Sequence, residues 1–298
     1  MKKTILFLFI SIMFLAVMTA CNGNGDEAGT EDNSEAIGNN NNDTIVFGLT
    51  TWTSTEAPTN IAKLILEEAG FNVEFIAVDQ PVIFKGMAEK EVDFFMDAWL
   101  PYTEAVLWSK YEDDLQMVTA SYEDVPLGWV VPSYVQENTI EELIGNGDKF
   151  DNRVITIAPG AGIVSLSHDV IADYGLDEFQ LMTSSEIAMI AELERKYANN
   201  EPIIITGWRP HSKFAQYDLK FLEDTRGHFL PDNVYVVSYQ GIENEKPEAY
   251  EILSNWSIEV ADLEEMMLAH EENGTSFEVL AEQWIANNRD KVDMMLGK

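Results

Sequence analysis

Two segments repeat one pattern about a hundred residues apart: Phe94-Phe95-Met96-Asp97-Ala98-Trp99-Leu100-Pro101 and Ile203-Ile204-Ile205-Thr206-Gly207-Trp208-Arg209-Pro210-His211. In each, an apolar run with strand character reaches a small residue, then Trp, then x-Pro. Proline cannot donate to a ladder, so each run ends there and each tryptophan is left at a strand end. Strand ends of open α/β sheets are where ligands bind, and an indole face suits an apolar cation. The pair predicts a small-molecule cleft.

Other residues compete for chemical roles. The Gly160-Ala161-Gly162 turn before Ile163 is either an anion cradle at a helix N-terminus or an ordinary strand-to-helix connector. His168, His228 and His270 lack close Cys, His or Asp partners at metal-ligand spacing, so no metal site is expected. Trp108, Trp129, Trp256 and Trp284 have apolar neighbours at helical or strand spacing, which assigns them to the core. Asp97 and Asp218 fit loop fixing better than acid catalysis. Arg209 pairs either with an acidic neighbour or with an opposing lobe. An enzyme, for instance an exported hydrolase, is a competing class. It has no Gly-x-Ser-x-Gly elbow, His-Glu-x-x-His run or phosphate loop to support it.

The elements that position these residues alternate. Thr44 to Leu49 has strand character, and Glu56 to Ala69 places Ile61, Leu64 and Ile65 at helical spacing before Gly70. Phe71 to Ala77 is a strand, Pro81 to Lys90 a helix, Val92 to Met96 a strand and Tyr102 to Tyr111 a helix. Alternation of this kind predicts a mostly parallel sheet. After Pro132 a second series follows: a short helix at Ile140 to Ile144, a strand at Arg153 to Ile157 and a helix at Ile163 to Tyr174. Ser184-Ser185-Glu186 opens a helix to Tyr197, and Pro202 to Ile205 is the strand that delivers Trp208. Asn233 to Tyr239 is a further strand. Pro247 to Leu296 is helical, with Phe277, Leu280, Trp284 and Ile285 facing the first lobe. Crossings near Val130-Val131-Pro132 and Val234 to Tyr239 would hinge two lobes about a ligand.

Lys2 and Lys3 precede an apolar stretch from Ile5 to Met18 that is short for a membrane span and suits a signal peptide. It ends at Met18-Thr19-Ala20-Cys21, and Cys21, the only cysteine in the chain, is the expected lipidation site. Asn22 to Asp43 is too polar to offset its ordering entropy and is read as a tether. The expected divisions are 1–20 signal peptide, 21–43 tether, 44–131 plus 236–298 lobe I, and 132–235 lobe II. The 18 basic and 52 acidic residues leave a net charge of −34. That charge disfavours nucleic acid, since no basic stripe is available to displace phosphate counterions.

Trp52 in Thr50-Thr51-Trp52, Asp97-Ala98-Trp99-Leu100-Pro101, Pro159-Gly160-Ala161-Gly162-Ile163, Gly207-Trp208-Arg209-Pro210-His211 and Tyr217 to Asp224 together carry a resemblance. Across essentially all of residues 44–298, the chain resembles the glycine betaine (quaternary ammonium) binding proteins of bacterial ATP-binding-cassette uptake systems. The resemblance implies a bilobal α/β periplasmic-binding-protein fold of type II, with mostly parallel central sheets joined by a two-strand hinge. It implies no enzyme activity and no cofactor, and a monomer that is held by a lipid anchor at the outer face of the membrane and delivers its ligand to an ABC permease. It places Trp52, Trp99 and Trp208 around the quaternary ammonium, and the backbone N–H groups of Gly162 and Ile163 on the ligand's anionic end. His211 would touch the ligand or orient Trp208. Where the family commonly carries a histidine five residues after the Trp-x-Pro tryptophan, this chain has Glu104. Either Glu104 is solvated, or it faces the pocket and favours choline over a carboxylate-bearing ligand.

Overall fold

A computed structural model describes residues 44–298. The expected signal peptide, Cys21 and tether lie outside the described residues.

The first half runs β1 (Thr44–Leu49), α1 (Thr53–Glu68), β2 (Asn72–Ala77), α2 (Gln80–Ala88), β3 (Phe94–Leu100), α3 (Ala105–Tyr111) and β4 (Leu115–Val125). After a single residue, Pro126, the chain continues as β5 (Leu127–Pro132), β6 (Arg153–Thr156), α4 (Gly162–Tyr174), β7 (Gln180–Thr183), α5 (Glu186–Ala198), β8 (Ile205–Trp208), α6 (Lys213–Gln216) and β9 (Leu219–Phe221). It returns through β10 (Asp232–Tyr239) and closes with α7 (Ile242–Glu245), α8 (Pro247–Ser254), α9 (Val260–Asn273), α10 (Phe277–Asn287) and α11 (Arg289–Met295).

The strands form two five-stranded sheets, ordered β2-β1-β3-β10-β4 and β7-β6-β8-β5-β9. The strands that carry the repeated pattern, β3 with Trp99 and β8 with Trp208, occupy the third place. Each is parallel to one neighbour, β1 or β6, and antiparallel to the other, β10 or β5. The sequence repeat is therefore a topological equivalence, with each tryptophan at the seam between a parallel and an antiparallel half. Both sheets are mixed, where alternation predicted mostly parallel ones. The reason is that β4, β5, β9 and β10 are not crossover strands. They carry the chain between sheets and pair antiparallel at the seam.

The passages between sheets fall at Pro126 and between Phe221 and Asp232, away from the expected Val130–Pro132 and Val234–Tyr239. Those valine-rich runs instead lie within sheets, where Val130, Val131, Val234, Val236 and Val237 are all buried. Proline marks the passages, Pro126 at one and Pro231 just before β10, because it cannot extend a ladder. The helix expected at Ile140 to Ile144 is a single 3-10 turn, Glu141–Leu143.

Period-2 alternation assigns the second sheet's faces. Ile203 and Ile205 join the large core that continues beneath the first sheet, whereas Ile204 joins Trp129, Val131, Phe150 and Val154 in a separate core. The C-terminal helices pack on the first sheet's side, α10 against α1 and α8 against β4. Glycine ends α4 and α9, with Gly175 and Gly274 both in the left-handed conformation at φ near +67° and +66°.

Candidate functional site

Trp52, Trp99 and Trp208 line one cavity enclosing about 330 Å³ of atom-free space, with Ser54, Gln80, Thr103, Glu104, Leu127, Ile157, Ala161, Gly162 and Ile163. Trp52 ends the turn after β1, Trp99 is the penultimate residue of β3 and Trp208 ends β8, so the first sheet's side supplies two indoles and the second's supplies one. They are only 9%, 6% and 5% exposed, which makes them desolvated faces on which the quadrupole attraction for a cation is strongest.

Asp97 holds the first-sheet side together. One position in two along β3 shares a face, and the Trp99 indole N–H donates to Asp97 Oδ1 at 2.8 Å. The Ser54 and Thr55 hydroxyls, in the first turn of α1, donate to Asp97 Oδ2 at 2.8 and 2.6 Å. Burial raises the pKa of Asp97, against the pull of these three donors. The aspartate thus ties the start of α1 to the edge of Trp99 and fixes the plane of the ring. It supplies positioning, not acid chemistry.

Trp208 is backed by a buried polar group. His211 meets its ring edge-on at 5.3 Å between centroids, and Lys213 Nζ sits 4.2 Å from the ring centroid. His211 is buried behind Trp208 and does not line the cavity, an arrangement that orients the tryptophan. Burial drives Lys213 well below the ordinary lysine range. Glu186, at the start of α5, lies 3.4 Å from His211 Nε2 and accepts from both Thr53 N at 3.3 Å and Thr53 Oγ1 at 2.8 Å. Burial raises its proton affinity, but His211, Lys213 and Thr53 outweigh this, leaving its pKa lowered. Thr53 is the first residue of α1, so this contact joins the two sheets beside the tryptophans at a helix N-terminus, where negative charge is favoured.

The cavity's other end is formed by the N-terminus of α4. The first-turn N–H groups of Gly162 and Ile163 have no intrahelical acceptor, and both residues line the cavity. A Cβ at Gly162 would stand 2.4 Å from the Thr103 carbonyl oxygen, and one at Gly160 would stand 3.0 Å from Pro81. Glycine is therefore what lets the second-sheet helix close against the first-sheet turn. A second cavity, lined by Thr50, Thr51, Asp79 and Gly160 among others, adjoins through Trp52, Gln80 and Ala161.

Glu104 faces the pocket and is only 3% exposed, so the solvated position left open by the sequence is not the one it takes. Gln80 Nε2 donates to its Oε1, while its Oε2 is buried with no partner. Burial, reinforced by the charge of Asp97, holds its carboxyl well above the usual range. Gln80 and Thr103 also line the cavity with buried, unpartnered oxygens. Sequence reasoning missed both, since a lone polar residue on a helix or turn has no periodic signature. Of the remaining tryptophans, the indoles of Trp129, Trp256 and Trp284 donate to Ser167, Ser121 and Asp262, and Trp108 on α3 is half-buried against the edge of the large core. Arg209 pairs with Glu264 on α9 at 2.8 Å. Asp218 accepts from Ser133.

Residues 43–287 match the family described as the substrate binding domain of ABC-type glycine betaine transport systems. The glycine betaine/carnitine transport binding protein GbuC of Listeria monocytogenes (serotype 1/2a, strain 10403S) is 37% identical over 149 residues, 49% of each chain. The match thus spans about half the length of that curated relative. The lactococcal OpuAC, solved in its closed-liganded conformation with glycine betaine, superposes with a TM-score of 0.81 at 31% identity, covering 85% of this chain and 99% of that one. The glycine betaine, L-proline transporter binding protein ProX of Borrelia burgdorferi superposes at 0.82 and 29% identity, over 84% and 95% of the two chains. The fold is accordingly the bilobal one of these proteins, each sheet with its helices forming a lobe. The chain belongs to the family of substrate-binding domains of ABC-type glycine betaine transport systems, whose members bind solutes and are not enzymes.

Proposed function

We propose that this protein captures glycine betaine, or a related quaternary ammonium osmolyte, between its lobes and delivers it to an ABC importer at the outer face of the cell membrane. The observation that carries the reading is the meeting of three buried tryptophans, from both lobes, with a helix N-terminus across one cavity. A trimethylammonium head donates no strong hydrogen bond, so aromatic faces distinguish it from hydrated metal ions. At roughly 0.5–2 kcal/mol per face, three faces contribute a few kcal/mol of the roughly 8 kcal/mol of micromolar binding. The amides of Gly162 and Ile163 would hold the ligand carboxylate and add to this.

Closure follows from the same placement. A ligand that touches Trp52 and Trp99 on one lobe and Trp208 and Gly162 on the other stabilises the closed form by bridging them, and the permease would read that form. Among the described residues no helix is long and apolar enough to cross a membrane. A diacyl anchor on Cys21, with residues 22–43 as tether, would keep this monomeric receptor at the membrane.

One observation favours a second ligand. Glu104 presents an unpartnered carboxyl oxygen to the cavity, and an ionised carboxylate there suits the hydroxyl and net positive charge of choline. Calorimetric titration of the purified protein with glycine betaine and with choline tests the proposal. Saturable heat from betaine is expected, and absence of heat from both ligands would overturn it.

A further inference from the structure

The two ligands make opposite demands on one atom. A betaine carboxylate near Glu104 Oε2 needs a donor, whereas a choline hydroxyl needs an acceptor, and a carboxyl oxygen can meet the first only with a proton and the second best without one. Among the described residues no lysine, arginine or histidine pairs with Glu104. Gln80 reaches it from α2 as an uncharged donor. Asp97 faces it from β3 and Asp232 from β10, the latter already accepting from Tyr102 N and Thr103 N at 2.8 Å. The N-terminus of α4 closes over Thr103 beside it and brings amides but no ionisable group. The ligand is therefore the remaining source of compensating charge.

We propose that Glu104 selects the ligand by its protonation state: as the neutral acid it donates its O–H to a betaine-type carboxylate, and as the carboxylate it accepts the hydroxyl of a choline-type cation and neutralises it. The inference rests on the quaternary ammonium reading above. The betaine complex then holds one proton more than the choline complex, and the ratio of the two affinities must follow proton concentration whatever the carboxyl's own titration midpoint. Burial beside Asp97 favours the neutral acid, in the direction of betaine.

Affinities for both ligands, measured on the purified protein from about pH 6 to about pH 8, test it. The betaine-to-choline affinity ratio is expected to fall about tenfold per pH unit, about a hundredfold across the range. In Glu104→Gln, whose amide donates like the neutral acid, betaine binding should persist with a ratio independent of pH. A flat ratio in the native protein, a slope that survives Glu104→Gln, or failure to bind choline at the upper pH while betaine binds would each overturn it. If neither ligand binds at any pH, the quaternary ammonium reading itself fails. Should Glu104→Gln not fold, the native ratio alone decides.

Discussion

At the scale of single residues, the site depends on side chains that hold other side chains. Trp208 is the second lobe's only indole in the cavity. Trp208→Ala removes one cation–π face and the apolar contact with it, so betaine affinity should fall by about 10- to 100-fold, read by calorimetry. An unchanged affinity would remove Trp208 from the site. Asp97 does not line the cavity yet accepts three hydrogen bonds. Asp97→Ala orphans the Ser54 and Thr55 hydroxyls and the Trp99 indole N–H in a buried place, at a cost of about 1–3 kcal/mol or more. The urea midpoint should fall accordingly, with weaker betaine binding because Trp99 is no longer aimed. Trp99 and Trp208 were legible in the sequence because strand, Trp and x-Pro follow a local pattern that sequence displays, whereas Trp52, the glycine turn's amides and Glu104 were placed by the family resemblance. Gln80, Thr103, and the cluster of Glu186 and Lys213 were not. Their roles exist only through contacts between residues far apart in the chain, as between Thr53 and Glu186.

At the scale of elements, the lobes meet where two helix N-termini face across the cleft. The start of α4 abuts the turn after β3 through Gly162, and the start of α1 receives Glu186 from α5. Gly162→Ala would drive a methyl into the Thr103 carbonyl, which is backbone and cannot swing aside. The variant should fold with nearly native stability, since alanine suits a helix. Its betaine affinity should drop at least about tenfold as closure is blocked, and ligand-induced compaction in small-angle scattering should shrink or vanish. Full compaction would show that the lobes close without this contact. The clasp at Glu186 acts at the same place by charge. Glu186→Gln keeps the shape and removes the anion that faces the N-terminus of α1 and His211. Ligand release by stopped-flow tryptophan fluorescence should therefore become several-fold faster, and an unchanged release rate would mean the clasp does not hold the closed form. The repeat of strand, tryptophan and proline announced the seam strands β3 and β8. The antiparallel halves did not show in the sequence, because β4, β5, β9 and β10 are defined by which sheet they cross into. Local periodicity carries no record of that.

At the scale of the whole molecule, charge sets a condition on stability. With 52 acidic against 18 basic residues, most carboxylates have no cationic partner, and the compact state concentrates their mutual repulsion. Attractive pairs do exist. Arg289 on α11 grips Glu68 at the end of α1 at 2.7 Å through both oxygens and, with Lys298, lowers its pKa to about 2. A carboxyl lowered in this way stabilises the fold above its unfolded value, and that contribution is lost as pH falls toward about 2. Glu68 is a third exposed, so the pair is partly screened and contributes little. Repulsion therefore outweighs attraction, and added salt, which weakens both, should stabilise the fold. The melting temperature is expected to rise by about 5 °C or more between ~0.05 and ~1 M NaCl, over which the screening length falls from over 10 Å to about 3 Å. Most of the gain should come below ~0.5 M, where the screening length changes most. Stabilisation by salt exclusion would instead grow steadily with concentration. A flat or falling melting temperature would mean that pairs such as Arg289–Glu68 govern the balance. A saturating rise would mean that the receptor is most stable in the saline medium where an osmolyte is worth capturing.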